Sequence, residues 1–74
     1  MRAFEFRDGE IIGNPVRRMI VDLDCIVSLK ETWYDGSEYS PARMLRTLTL
    51  TDGPGGYEIT EEAFDRILAA WKSK

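Results

Sequence analysis

The residue types that could do chemistry stand in three places. Asp22 and Asp24 flank Leu23, Cys25 follows at once, and Gly53, Gly55 and Gly56 crowd the stretch TDGPGGYEIT at positions 51–60. A D-x-D pair can hold a divalent cation, a thiol can act as a nucleophile, and closely set glycines ahead of a helix can cradle a phosphate. Each reading fails on its surroundings. Calcium or magnesium takes about six oxygens, and no further acid close to Asp22 and Asp24 completes that shell. The pair reads as a solvated bend. Cys25 lies between Asp24 and Ile26, neighbours that favour the protonated thiol, so it reads as a structural cysteine. A phosphate loop of the form G-x-x-x-x-G-K-[ST] needs its lysine and an immediate helix; here no lysine follows, Pro54 lacks an amide, and a short strand intervenes. The glycines read as a hairpin turn, with Gly53→Ala expected to cost stability.

The chain contains no histidine. That excludes the usual zinc sites, histidine-based triads and imidazole acid–base catalysis. No catalytic residue, cofactor or metal is expected, and the protein reads as a non-enzyme.

Two groups could instead bind. Trp33, Tyr34 and Tyr39 surround the polar insertion DGSEYSPAR at 35–43, and these are residue types enriched at protein interfaces. Arg17 and Arg18, with Arg43 and Arg46, could form a basic patch if their strands are neighbours. Arg46 shares an apolar face with Leu48 and Leu50, where a charge must be paired or reach an edge. Glu31, on the apolar face of the preceding strand, is its expected partner.

A chain of 74 residues accommodates one small domain, 1–74, with a thin core. Its 43% hydrophobic and 31% charged residues match a folded globular chain rather than a disordered one. A core this small gains from self-association, so a homo-oligomer is expected. Ten basic and thirteen acidic residues give a net charge of −3 with the signs interspersed, poor footing for nucleic-acid binding. One cysteine forms no internal disulfide, no apolar run is long enough to span a membrane, and MRAFEFRDGE lacks the apolar segment of an export signal. A cytoplasmic location is expected.

The elements that must position these residues follow from periodicity. Phe4 and Phe6 alternate with charges, Asp8-Gly9 is a two-residue turn signal, and Glu10-Ile11-Ile12 follow, which predicts a hairpin with Arg7 opposite Glu10 and Phe6 opposite Ile11. Val16 to Leu23 is a second extended stretch, with Met19, Val21 and Leu23 on one face, before a bend at Asp22–Asp24. Ile26 to Tyr34 is a strand with Val27, Leu29 and Trp33 on its apolar face, and Met44 to Thr51 is another, in which leucines alternate with threonines. After the glycine turn, Tyr57 to Ile59 forms a short strand. Thr60 then caps a helix whose Phe64, Ile67, Leu68 and Trp71 fall at i, i+3, i+4 and i+7, with Glu61 and Glu62 at its start. The sum is an α+β fold: a strongly bent antiparallel sheet or partly closed barrel of five to six short strands, closed by one C-terminal amphipathic helix.

VDLDCIVSLKE, followed by LTLTDGPGGYEITEEAFDRIL, resembles the small flagellar and swarming-motility proteins of the FlbD/SwrD type over residues 20–69. The shared order is a polar bend into a strand, a strand ending in a tight turn, a short strand and a closing helix. The Phe4–Ile12 segment and the Asp35–Arg43 insertion are additions to it. The resemblance implies a non-enzymatic adaptor acting through protein contacts. Residues and resemblance together lead to the expectation of a self-associating protein-binding module. Its alternatives are a phage- or mobile-element-encoded inhibitor of a host defence system, anti-CRISPR-like, and an oligomeric binder of a small anionic ligand.

Overall fold

The computed structural model describes residues 2–51, 53 and 55–73. Asp52 and Pro54 of the expected turn lie outside the described residues. The elements in order are β1 (Ala3–Phe6), β2 (Met19–Asp22), a 3-10 turn (Leu23–Cys25), β3 (Ile26–Tyr34), β4 (Arg43–Leu50), β5 (Gly56–Glu58) and α1 (Glu61–Lys72). The five strands form two antiparallel sheets, β1–β2 and β3–β4–β5, and the molecule measures 42 × 23 × 22 Å.

The α+β class stands, but the single bent sheet or partly closed barrel does not. No ladder joins β2 to β3, because Leu23–Cys25 wind into a 3-10 turn whose entry is held by the Asp22 carboxylate accepting the Asp24 amide at 3.0 Å. The expected bend is therefore real, and it divides the strands into two sheets. Among the described residues, one isolated bridge, Ile11 to Ile59, ties the segment after β1 to the end of β5, flanked by bonds from the Ile12 amide to the Glu58 carbonyl (2.8 Å) and from the Thr60 amide to the Glu10 carbonyl (3.0 Å).

The expected first hairpin also differs. The Glu10 amide does bond the Arg7 carbonyl at 3.1 Å, closing a turn over Asp8-Gly9. Gly9 has φ 85°, but no residue other than glycine has a positive φ among the described residues. A type I′ turn requires positive φ at both central positions, and turns without it splay the flanking strands. Phe6 therefore pairs with Met19 on β2, not with Ile11, while Ile11 crosses to Ile59.

The core forms where these pieces meet. Phe4, Phe6, Ile11, Val21, Leu23, Ile26, Leu48 and Ile59 face Ala63, Phe64 and Ile67 of α1, and Phe4 packs edge-on against Phe6 at 5.1 Å. The helix begins as its sequence dictates: Thr60 is extended, its Oγ1 accepts the Ala63 amide at 3.2 Å, and Glu61 and Glu62 sit in the first turn. Its other end is held by Arg2, which donates to the carbonyls of Ala70 and Trp71 (3.1 Å each) and Ser73 (2.6 Å) while pairing with Asp24 at 3.2 Å. A guanidinium there meets both the orphan carbonyls and the negative end of the helix dipole.

One charged group lies inside this assembly. Glu10 is only 7% exposed, and both its carboxylate oxygens accept from Arg66 Nη1 on α1 at 2.7 Å. The Arg7 amide adds a third bond at 2.7 Å, Arg66 also reaches the Glu5 carbonyl at 3.2 Å, and its guanidinium lies 5.0 Å above the Phe4 ring. Burial pushes the Glu10 carboxyl upward, but the Arg66 hydrogen bond, the Arg7 amide and both arginine charges outweigh it, and the group is held below its ordinary value.

A folded-state value below the unfolded one means that Glu10 contributes stability above the unfolded carboxylate range, about pH 4.3, and loses it as pH falls through the lowered value. Glu5, lowered by its hydrogen bond and charge contact with Arg18, and Asp22, lowered by the Asp24 and Arg2 amides, act in the same direction. Glu10→Gln is expected to lower the urea midpoint at pH 7 and to flatten the loss of stability below pH 4.5, read from urea titrations at stepped pH. In the same assay, Ile67→Ala is expected to cost about 3 kcal/mol through the cavity it opens, and Thr60→Ala about 1 kcal/mol through the lost cap.

Candidate functional site

The expected binding residues fall on a hairpin arm that outruns the core. β3 and β4 pair from Ile26↔Leu50 to Tyr34↔Arg43, with one register shift between Ile26 and Ser28. Val27 is the extra residue of this bulge, which turns it outward to 56% exposure and removes it from the face expected for it. Beyond the bulge, alternation places Leu29, Glu31 and Trp33 of β3 with Leu48, Arg46 and Met44 of β4 on the core-side face. Leu48 is fully buried, the Glu31–Arg46 pair lies one step out, and the cross-strand pair Trp33–Met44 lies one step further, 58% and 40% exposed. The core thus ends at an ion pair half-way along this face, and an exposed apolar pair resumes beyond it.

Arg46 marks the boundary. Its Nε stands 3.0 Å from Glu31, as expected from the sequence, and its Nη2 bonds Glu61 at the start of α1 at 3.1 Å. The buried Nε–H has no aligned hydrogen-bond acceptor, so the Glu31 contact acts through charge. On the opposite face, Arg43 lies 5.9 Å over the Tyr34 ring and pairs with Glu58 at 3.1 Å.

The tip is shaped by its own backbone. Gly36 has φ 91°, and a Cβ there would stand 2.8 Å from the Ala42 amide nitrogen. Ser37 and Ser40 exchange amide-to-carbonyl bonds at 2.8 and 3.4 Å, and the Ser37 hydroxyl accepts the Tyr39 amide at 3.2 Å. Tyr39 stands out from this frame at 88% exposure. The insertion is therefore a framed tip that presents one aromatic ring.

The four arginines do not gather. Arg17 and Arg18 precede β2, at the opposite sheet from Arg43 and Arg46. Arg18 pairs with Glu5 at 2.8 Å, whereas Arg17 has no ion pair among the described residues. Beside them, Met19, Ile20, Val21, Cys25, Leu50 and Tyr57 line an open, mainly apolar groove of about 280 Å³ between the two sheets. The sequence offered no sign of it, since its walls come from three strands whose adjacency depends on the fold.

The groups that first suggested chemistry are engaged structurally. Asp22 accepts the amides of Arg2 (3.3 Å) and Asp24 (3.0 Å), Asp24 pairs with Arg2, and no cluster of three metal-ligating side chains occurs among the described residues. Cys25 is half-buried. Gly55 has φ 105°, a left-handed backbone that favours glycine, and a Cβ on Gly56 would collide with the Thr47 side chain at Cγ2, so the first position is fixed by backbone and the second by cross-strand packing. Gly53 does not have a positive φ, and a Cβ there would meet Leu50 at an ordinary 3.5 Å, so the stability cost expected of Gly53→Ala belongs to Gly55 and Gly56 instead.

No family model, curated protein or solved structure matches the chain. The functional reading accordingly rests on geometry and residue chemistry. Among the described residues, no helix is long and apolar enough to cross a membrane.

The framed tip is testable by itself. Gly36→Ala forces a side chain into a left-handed conformation against backbone, and is expected to cost about 1 kcal/mol or more, confined to the arm. Amide hydrogen exchange should show faster exchange at Ser37 and Ser40 with α1 unchanged.

Proposed function

We propose that this protein is a non-enzymatic protein-binding module that acts through the β3–β4 arm. The observation that carries the reading is the exposed outer half of the core-side face: beyond the Glu31–Arg46 ion pair, Trp33 and Met44 form an apolar cross-strand pair that the core does not cover. Covering the exposed part of Trp33, on the order of 100 Å² of largely apolar surface, is worth about 2.5 kcal/mol before ordering costs. That is the scale of an interface hot spot. The tip supplies the remainder of a paratope-like surface, in which a backbone framed by serine and glycine presents a tyrosine ring, a side chain with only two torsions to order.

Charge selects the partner class. Asp35 and Glu38 flank the tip without an ion pair among the described residues, a distribution that repels phosphate backbones and anionic membranes and suits a protein surface bearing cations. The resemblance of residues 20–69 to the FlbD/SwrD-type proteins supports the same adaptor role.

A photo-crosslinking amino acid placed at position 33 or 39 of the full chain, expressed in the native host, is expected to give discrete protein adducts. The same group at Lys72 serves as the comparison. Adducts at position 72 alone, or none at the arm, would sink the reading.

A further inference from the structure

The arm and the groove complement each other across two copies of the chain, and this inference rests on the arm being the binding element. Leu50 lines the groove at one end of β4, and Arg43 leads into the tip at the other. The eight residues of that strand separate the two ends by roughly 25 Å. An antiparallel two-fold pair therefore sets each tip beside the partner's groove, and the contact closes on itself instead of propagating.

Chemistry matches at both ends of that contact. The tip offers one exposed tyrosine ring flanked by Asp35 and Glu38; the groove offers Met19, Val21, Leu50 and Tyr57 as apolar walls, with Arg17 and Arg18 immediately before Met19 at its β2 end. Arg17 is exposed and without an ion pair among the described residues, as are the two tip acids. A ring on an apolar floor with opposed charges at the rim is the usual anatomy of a specific interface. The other route to self-association, edge pairing of two β3 strands, is disfavoured by Lys30 in mid-strand and by the Val27 bulge, both devices that protect edges.

The geometry points to a two-fold homodimer formed by reciprocal arm exchange, in which Tyr39 of each copy docks in the groove of the other. Trp33 and Met44 then lie along the shared length of the two arms, where the partner covers them.

Sedimentation equilibrium of the full chain across a wide concentration series is the first measurement, and a reversible dimer is expected. Tyr39→Ala and Arg17→Glu should each weaken dimerisation about tenfold or more with circular dichroism unchanged, and Glu38→Arg added to Arg17→Glu should restore much of the loss. Placement is read separately. Pro41→Cys, exposed at the tip and leaving the Tyr39 ring in place, should on treatment with a short bismaleimide link to Cys25 of the partner subunit, giving a covalent dimer whose cross-linked peptide is identified by mass spectrometry. Cys25→Ser in the same chain should abolish that link.

A monomer at every concentration, or a dimer whose position-41 adducts lie away from the groove, overturns arm exchange. Failure here is distinguishable from failure of the arm itself: a monomer whose arm still crosslinks to another protein leaves the binding module standing, and only the identity of its partner falls.

Discussion

Everything in this small fold turns on one buried carboxylate. Glu10 sits where β1 leaves its sheet, where the chain crosses to β5, and beneath the middle of α1, and its oxygens accept from Arg66 on the helix and from the Arg7 amide. A buried ion pair is a weak source of net stability, because desolvation offsets most of the attraction. Removing one partner is costly all the same, since the other is left charged and without its hydrogen bonds. The consequence is specificity. Among the described residues, one isolated bridge ties the segment after β1 to the end of β5, so the registry there is set by this ion pair and by the backbone bonds on either side of the bridge. Phe4 and Phe6 can pack under α1 because Arg66 spans the carboxylate, the Glu5 carbonyl and the Phe4 ring together.

Local signals in the sequence were legible where the structure is local. The helix announced itself by a hydroxyl cap, acids in its first turn and a 3.6-residue apolar stripe, and Glu61–Lys72 follows that pattern. The limits of β3 matched the alternation from Ile26 to Tyr34, and Glu31 on an apolar face pointed correctly to Arg46. Misreadings arose where geometry depends on a sign or on distance along the chain. Asp8-Gly9 looks like a hairpin turn, but Asp8 keeps a negative φ and the strands part. Glu10 looked like the cross-strand partner of Arg7; its true partner lies 56 residues away, and no short-range pattern encodes that pairing.

The candidate site was half readable for the same reason. Composition singled out Trp33, Tyr34 and Tyr39 and the polar insertion between the strands, because interface chemistry is a property of residue types. It could not show that Met44 stands opposite Trp33, which depends on the register set by the Val27 bulge, or that the core stops at Leu48, which depends on how the elements pack together. Nor could it keep Arg17 and Arg18 apart from Arg43 and Arg46, whose separation reflects the division into two sheets. Arginines that look like a patch in one dimension are here divided between a strand entrance and an arm, and three of the four are already neutralised by carboxylates.

The bulge at Val27 has a genetic meaning as well as a geometric one. Side chains in a strand alternate with a period of two, so the extra residue between Ile26 and Ser28 reverses the parity of everything distal to it. Losing that single codon would remove the bulge and leave a plainly alternating strand, with Ile26, Leu29, Glu31 and Trp33 still opposite Leu50, Leu48, Arg46 and Met44. Losing one codon beyond the bulge, at Lys30 for example, would instead turn Glu31 and Trp33 over and leave Arg46 without its β3 carboxylate. The arm's orientation is thus written in the reading length of the strand beyond its base: the bulge can absorb one residue, whereas a gain or loss further out turns every distal side chain over.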